Sequence, residues 1–142
     1  MQTILELQPP GPGLHEFTVQ VVEFVQRSNC REGLLTLFVQ HTSCGLLVQE
    51  NADPAVRHDL EQFLHRLVPP ANDASMRWIT HGAEGPDDMP AHIKAALTPV
   101  SLCIPVSDGR PALGTWQGIF LFEYRQRPPA RRVVAQLTPT PA

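Results

Sequence analysis

The sequence predicts a single α+β domain spanning 1–142. Three observations lead there. The chain has 142 residues, the usual size of one domain and too short for two. Its residues are 42% hydrophobic, which is enough material to fill a core. Its elements read strand, helix, strands, helix, helix, strands, and not as repeated βαβ units.

Residues 2–8 alternate apolar and polar and open the chain as a strand. After a Pro/Gly turn, Thr18 is a candidate N-cap. Val21, Val22, Phe24 and Val25 then recur with helical spacing, predicting a helix over about 19–28. Gly33 opens a short apolar run, LLTLFVQ, of strand length. HTSCG interrupts it and LLVQEN resumes, which suggests two strands paired antiparallel. Asp53-Pro54 is a strong helix start: Asp accepts from free N–H groups of the first turn, and Pro at the first helical position loses no hydrogen bond. Val56, Leu60, Phe63, Leu64 and Leu67 form the apolar stripe of this helix, which stops before Pro69-Pro70. Residues 71–87 form a long polar segment anchored by Trp78 and Ile79. Asp88 is read as the cap of a third helix, MPAHIKAAL. VSLCIPV follows as a strand, with Asp108-Gly109 as a hairpin turn. GIFLFEY is apolar on both alternating faces, as a central strand covered on both sides would be. RRVVAQL is the last strand.

Composition excludes several classes of function. The net charge is −3 and both signs are interspersed, so no electropositive field exists to neutralise a nucleic-acid backbone. Arg125, Arg127, Arg131 and Arg132 form the one basic cluster, read as a solvated strand end or an intersubunit contact, with an anion site as the alternative. Cys30, Cys44 and Cys103 are widely spaced and read as small buried hydrophobes in a reducing compartment. No N-terminal run has the form of a signal peptide. No stretch approaches the ~20 apolar residues that span a bilayer. A cytoplasmic protein that binds neither membrane nor nucleic acid is therefore expected.

Three of the histidines could share a site. His41 lies where an apolar strand gives way to Thr42 and Ser43, His81 in the long polar segment, and His92 in the first turns of the third helix. Imidazoles from three elements can converge on a divalent ion, with a carboxylate such as Glu50 completing or orienting the set. The plain alternative is three unrelated, partly exposed histidines. His58 and His65 share a helix face but lie about 10.5 Å apart along it, too far to hold one ion. No HExxH, GxGxxG or GxxxxGK[ST] motif is present. Thr42 and Ser43 can hydrogen-bond a phosphate or simply a turn. Gln117, if it points inward, needs a polar partner.

The segments HTS, ENADP, DDMPAHIKAAL and GTWQGI, in this order and spread over nearly the whole chain, resemble the successive signatures of the YjbQ family. One departure is Trp78-Ile79-Thr80 before His81, where many relatives carry Tyr. The resemblance implies a compact domain of largely antiparallel sheet packed with about three helices, assembled as a homotrimer. It implies a pocket for a metal or anion, which could be shared between subunits, and a weak thiamine-phosphate synthase activity. That reaction couples hydroxymethylpyrimidine diphosphate to thiazole phosphate.

Carried onto this chain, the family's polar residues are His41, His81 and His92 as metal ligands, Glu50 as catalytic acid or base, and Thr42, Ser43, Asn51, Thr115 and Gln117 as ligand-binding residues. The partner so implied is a small phosphorylated metabolite. A His-rich donor set favours zinc over magnesium, which prefers oxygen. The alternatives are a non-catalytic trimeric module that binds metal or metabolite, and a metal-assisted hydrolase.

Overall fold

The computed structural model describes residues 1–142. Eight strands form two antiparallel sheets. The larger has the order β1 (Gln2–Leu7), β8 (Arg131–Pro139), β3 (Gly33–Val39), β5 (Ser101–Ser107), β6 (Arg110–Pro111). The smaller has the order β2 (Gly13–Glu16), β7 (Gln117–Glu123), β4 (Cys44–Glu50). Three α-helices complete the domain: α1 (Thr18–Arg27), α2 (Pro54–Leu67) and α3 (Asp88–Leu97).

Period-two patterning sets the layers. Leu35, Leu37 and Val39 of β3 and Val133, Ala135 and Leu137 of β8 turn to one face. They meet Leu46, Ile119 and Leu121 of the smaller sheet and Phe17, Val21, Phe24 and Val25 around α1, forming the main core. The smaller sheet's other face carries Leu14, Phe120, Phe122 and Tyr124, packed with Ala91 of α3 and Leu60 and Leu64 of α2. Strand β7 is thus covered on both faces, as its sequence predicts: every residue from Gly118 to Glu123 is buried. Each large apolar side chain buried in these layers contributes roughly 1.5–3 kcal/mol.

The hairpin at Asp108-Gly109 forms, with both residues at positive φ (51° and 73°), as a tight two-residue turn requires. Asp53 accepts from the Ala55 N–H at 2.9 Å and starts α2 as expected.

Several expectations need correction. β3 and β4 do not pair. β3 already has β5 on one edge and β8 on the other, so residues 40–43 carry the chain across to the smaller sheet, where β4 pairs with β7. Thr18 is not the cap of α1. Phe17 occupies that position, and the Thr18 hydroxyl donates to Glu16 and accepts from the Ile119 N–H. The apolar stripe of α2 is only half used, since Leu60 and Leu64 pack while Phe63 and Leu67 are exposed. Trp78 is also exposed, and Met76 anchors the long segment instead. Cys103 is exposed, unlike Cys30 and Cys44. Arg131 is no solvated strand end but lies fully buried.

Gly45 fixes the seat of α3. A side chain there would collide with Thr98, whose hydroxyl donates to the Lys94 carbonyl and meets the Tyr124 hydroxyl at 2.8 Å. The missing Cβ lets the end of α3 lie directly on β4.

Candidate metal and ligand site

Asp88 is the centre of the site. It was expected to cap α3, but Asp87 is the N-cap and Asp88 is the first helical residue. Its side chain is only 2% exposed. His81 Nε2 lies 2.8 Å from Asp88 Oδ2, and His92 Nε2 lies 3.4 Å from the same oxygen. Arg125 Nη1 donates to Oδ1 at 2.7 Å. Asp88 and His92 share a helix face because they stand four residues apart. His81 reaches them from the long polar segment, its ring edge-on to that of His92 with centroids 5.5 Å apart.

One ligand atom from each of His81, Asp88 and His92 falls within 4.8 Å of the others. Burial opposes ionisation of Asp88, but the His81 hydrogen bond, the charge His92 carries when protonated and the Arg125 charge hold its carboxyl below the usual range. The carboxylate is therefore ionised at neutral pH.

The tautomer of His92 tests whether a cation fits. Its Nδ1 lies 2.8 Å from the Thr42 carbonyl oxygen. A carbonyl can only accept, so Nδ1 carries the ring proton and the neutral ring presents a lone pair at Nε2. That lone pair faces Asp88 Oδ2, whose other neighbour is His81 Nε2 at 2.8 Å; this nitrogen donates to the carboxylate when no ion is bound and gives up that proton to ligate one. Two acceptors at 3.4 Å attract one another only with a proton or a metal ion between them. A backbone carbonyl fixing the far nitrogen of a ligating imidazole is also the usual support for such a ligand.

His41 stands outside this group. Its Nε2 accepts from the Arg132 N–H at 3.0 Å, and its Nδ1 lies 3.3 Å from Arg131 Nη1. Burial first, then the Arg131 charge, holds its pKa below the ordinary histidine value. Neither ring nitrogen is open to a cation. Ser43 is also enclosed: its hydroxyl accepts from Arg131 Nη2 at 2.9 Å. Arg131 makes a two-pronged pair with Glu123, at 2.7 Å to Oε1 and 2.6 Å to Oε2. The N–H groups of Tyr124 and Arg125 also donate to Glu123. Beside this pair, burial pushes the Cys44 thiol up to about 12, so Cys44 is not a nucleophile. Thr42 contributes its carbonyl, not its hydroxyl.

The other expected residues lie at the opposite end of the same sheet. β4 runs from Cys44, opposite Glu123, to Glu50, opposite Gln117. At the usual strand rise its length is roughly 20 Å. At the far end, Glu50 accepts from the Asp53 N–H at 3.0 Å, Asn51 donates to Glu16, and Gln117 accepts from the Gly114 N–H at 2.8 Å. Gln117 and Thr115 are exposed, so the inward-pointing Gln117 is not found. One chain therefore gathers Thr42, His81 and His92 around Asp88, places His41 and Ser43 beside them, and keeps Glu50, Asn51, Thr115 and Gln117 apart. Sequence reasoning missed Asp88 and Arg125. The signal for Asp88 was its spacing of four from His92, and a chain-neighbour reading of Arg125 as one of a basic cluster hid its role.

The model of a family described as UPF0047 protein YjbQ-like matches residues 3–140. The UPF0047 protein sll1880 of Synechocystis sp. is 48% identical over 137 residues, covering 96% of this chain and 90% of that protein. The UPF0047 protein YjbQ of Escherichia coli O157:H7 is 42% identical, covering 96% of each. Among solved structures, a conserved hypothetical protein of Thermus thermophilus superimposes with a TM-score of 0.81 at 36% identity, over 96% of this chain and 99% of that one.

Proposed function

This chain belongs to the UPF0047 YjbQ-like family, and we propose that it acts on a small phosphorylated metabolite through a divalent ion held by His81, Asp88 and His92. The observation that carries this reading is the Nε2 lone pair of His92, fixed by the Thr42 carbonyl and aimed at the carboxylate oxygen of Asp88 that His81 also faces. Two imidazoles and one carboxylate suit zinc better than magnesium. When bound, such an ion supplies a Lewis acid for a phosphate oxygen or a water.

The chain's own residues do the rest. Arg125 anchors Asp88 from behind, and the half-exposed His81 leaves the site open to solvent. A neighbouring groove of about 490 Å³ shares Asp87 and Arg125 and carries the exposed Arg127, which makes no ion pair. That unpaired guanidinium in its wall supports an anionic substrate.

The separation of Glu50 from the histidines supports a site closed between copies of the chain, in a homotrimer. Exposed Phe63 and Leu67 on α2, and Ile4, Leu34 and Phe38 on the larger sheet, supply apolar surface for that assembly. The first reaction to assay is coupling of hydroxymethylpyrimidine diphosphate to thiazole phosphate. Should zinc bind without turnover, the reading narrows to a binding module.

Metal-free protein should take up zinc, and His92→Ala and Asp88→Asn should each lose it. Unchanged zinc uptake by both variants would refute the site. Light scattering at low concentration tests the trimer, and turnover unaffected by Glu50→Ala would remove its acid–base role.

A further inference from the structure

A second cleft, of about 310 Å³, opens between α2, α3 and β7. Its volume is at the lower end of the range for small-molecule sites. Leu64, Pro90 and Phe122 give it an apolar floor, and Glu61 and Lys94 stand in its walls. Lys94 is the only lysine among the eleven Lys and Arg residues of the chain. Wherever else this protein uses a basic side chain, it uses arginine.

The Lys94 ammonium sits 5.9 Å from the centroid of the Tyr124 ring. It makes no hydrogen bond or ion pair, although Glu61 and Asp87 lie within electrostatic reach. Asp87 is already engaged by Arg125 Nε at 3.0 Å and the Gln126 N–H at 2.9 Å. Glu61 has no such partner. One unmatched ammonium and one unmatched carboxylate therefore face the same partly desolvated cleft without pairing with each other. A compact point charge at Lys94 serves a single carboxylate where a guanidinium fork would fill the space.

We propose that this cleft binds a small zwitterion of the α-amino-acid class, with its carboxylate on Lys94, its ammonium on Glu61 and an apolar side chain on Leu64 and Phe122. The charge pattern selects against a simple anion, which Glu61 repels, and against a simple amine, which Lys94 repels.

Lys94 provides its own reporter. Carbon-13 labelling of lysine gives one side-chain signal, and titration with L-leucine follows it directly. Leucine is expected to move that signal to saturation at millimolar concentration. Isocaproate and isoamylamine, which each keep one of the two charges, are expected to bind about tenfold more weakly. By calorimetry, Lys94→Met, which keeps the aliphatic stem over Tyr124, and Glu61→Gln are each expected to lose about tenfold in leucine affinity.

The proposal is overturned if neither leucine nor any other standard amino acid moves the signal. It is also overturned if isocaproate binds as tightly as leucine, or if Glu61→Gln binds leucine unchanged. Because Glu61 lies at the cleft wall outside the buried core, that last variant decides the matter even where Lys94→Met fails to fold.

Discussion

At the Cys44–Glu123 end of the smaller sheet, charged side chains are buried and tied to one another. At the Glu50–Gln117 end, polar side chains are exposed or half-buried and bond mainly to nearby backbone. The strands are the same, so the difference lies in what flanks them. The first end is enclosed by α3, β8 and the segment 40–43, which bring Asp88, Arg131 and His41 against it. The second is bordered by the residue 112–116 loop, the start of α2, and Glu16 and Thr18 where β2 passes into α1. Burying a charge costs several kcal/mol unless every partner is supplied. The first end meets that requirement: no buried side-chain nitrogen or oxygen lacks a partner. Its buried charges are each tied to partners. The second end leaves its polar groups in contact with solvent.

The comparison can be broken most forcefully at Glu123. Glu123→Ala leaves Arg131 charged and buried, and should cost about 3–5 kcal/mol of stability by urea denaturation. A loss below about 1 kcal/mol would mean that water reaches this end. Next in size is Arg125→Met, which removes the support behind Asp88 and should weaken zinc binding about 10–100-fold in a competition titration. Smaller again is the pH response of His41. Its folded pKa lies below the ordinary value of about 6.5. Its contribution is therefore present in full above that value and lost as pH falls toward the folded pKa. His41→Asn should flatten this part of the stability profile between neutral and mildly acidic pH. The smallest effects belong to the far end. Thr115→Ala and Gln117→Ala should each change stability by no more than about 0.5 kcal/mol and leave zinc affinity untouched. A tenfold fall in zinc affinity for either would join the two ends that the single chain holds apart.

Helix α2 was legible because its signals are local: Asp53 and Pro54 act on their own first turn. β7 was legible because an unbroken apolar run can only be a covered strand or a buried helix, and its length decides. The partner of β4 was not legible. Pairing depends on which strand edges are free, and nothing near residues 40–50 records that β5 and β8 occupy both edges of β3. In the site, His81 and His92 were found as metal-ligating types, but the carboxylate between them was hidden by a one-residue ambiguity. Asp87 and Asp88 are equally good capping residues, and only the helix register tells which one turns inward. Arg131 was misread because arginine is almost never fully buried without a partner, and that partner, Glu123, lies inside an apolar strand.

The pairing of β1 with β8 joins Gln2 to Gln136, and β8 also zips along the whole of β3. The strand that carries Arg131 is thus the last of the eight in chain order and lies between β1 and β3 in the larger sheet. A chain emerging from the ribosome has β1 and β3 early but nothing to bridge them. Contacts this distant in sequence slow folding. Until β8 arrives, Glu123 has no guanidinium, Ser43 no donor, and the edges of β1 and β3 stay open to other chains. The late strand therefore sets when the nascent protein ceases to be vulnerable to misassembly, and a ribosome stalled before residue 131 should expose a form that chaperones hold.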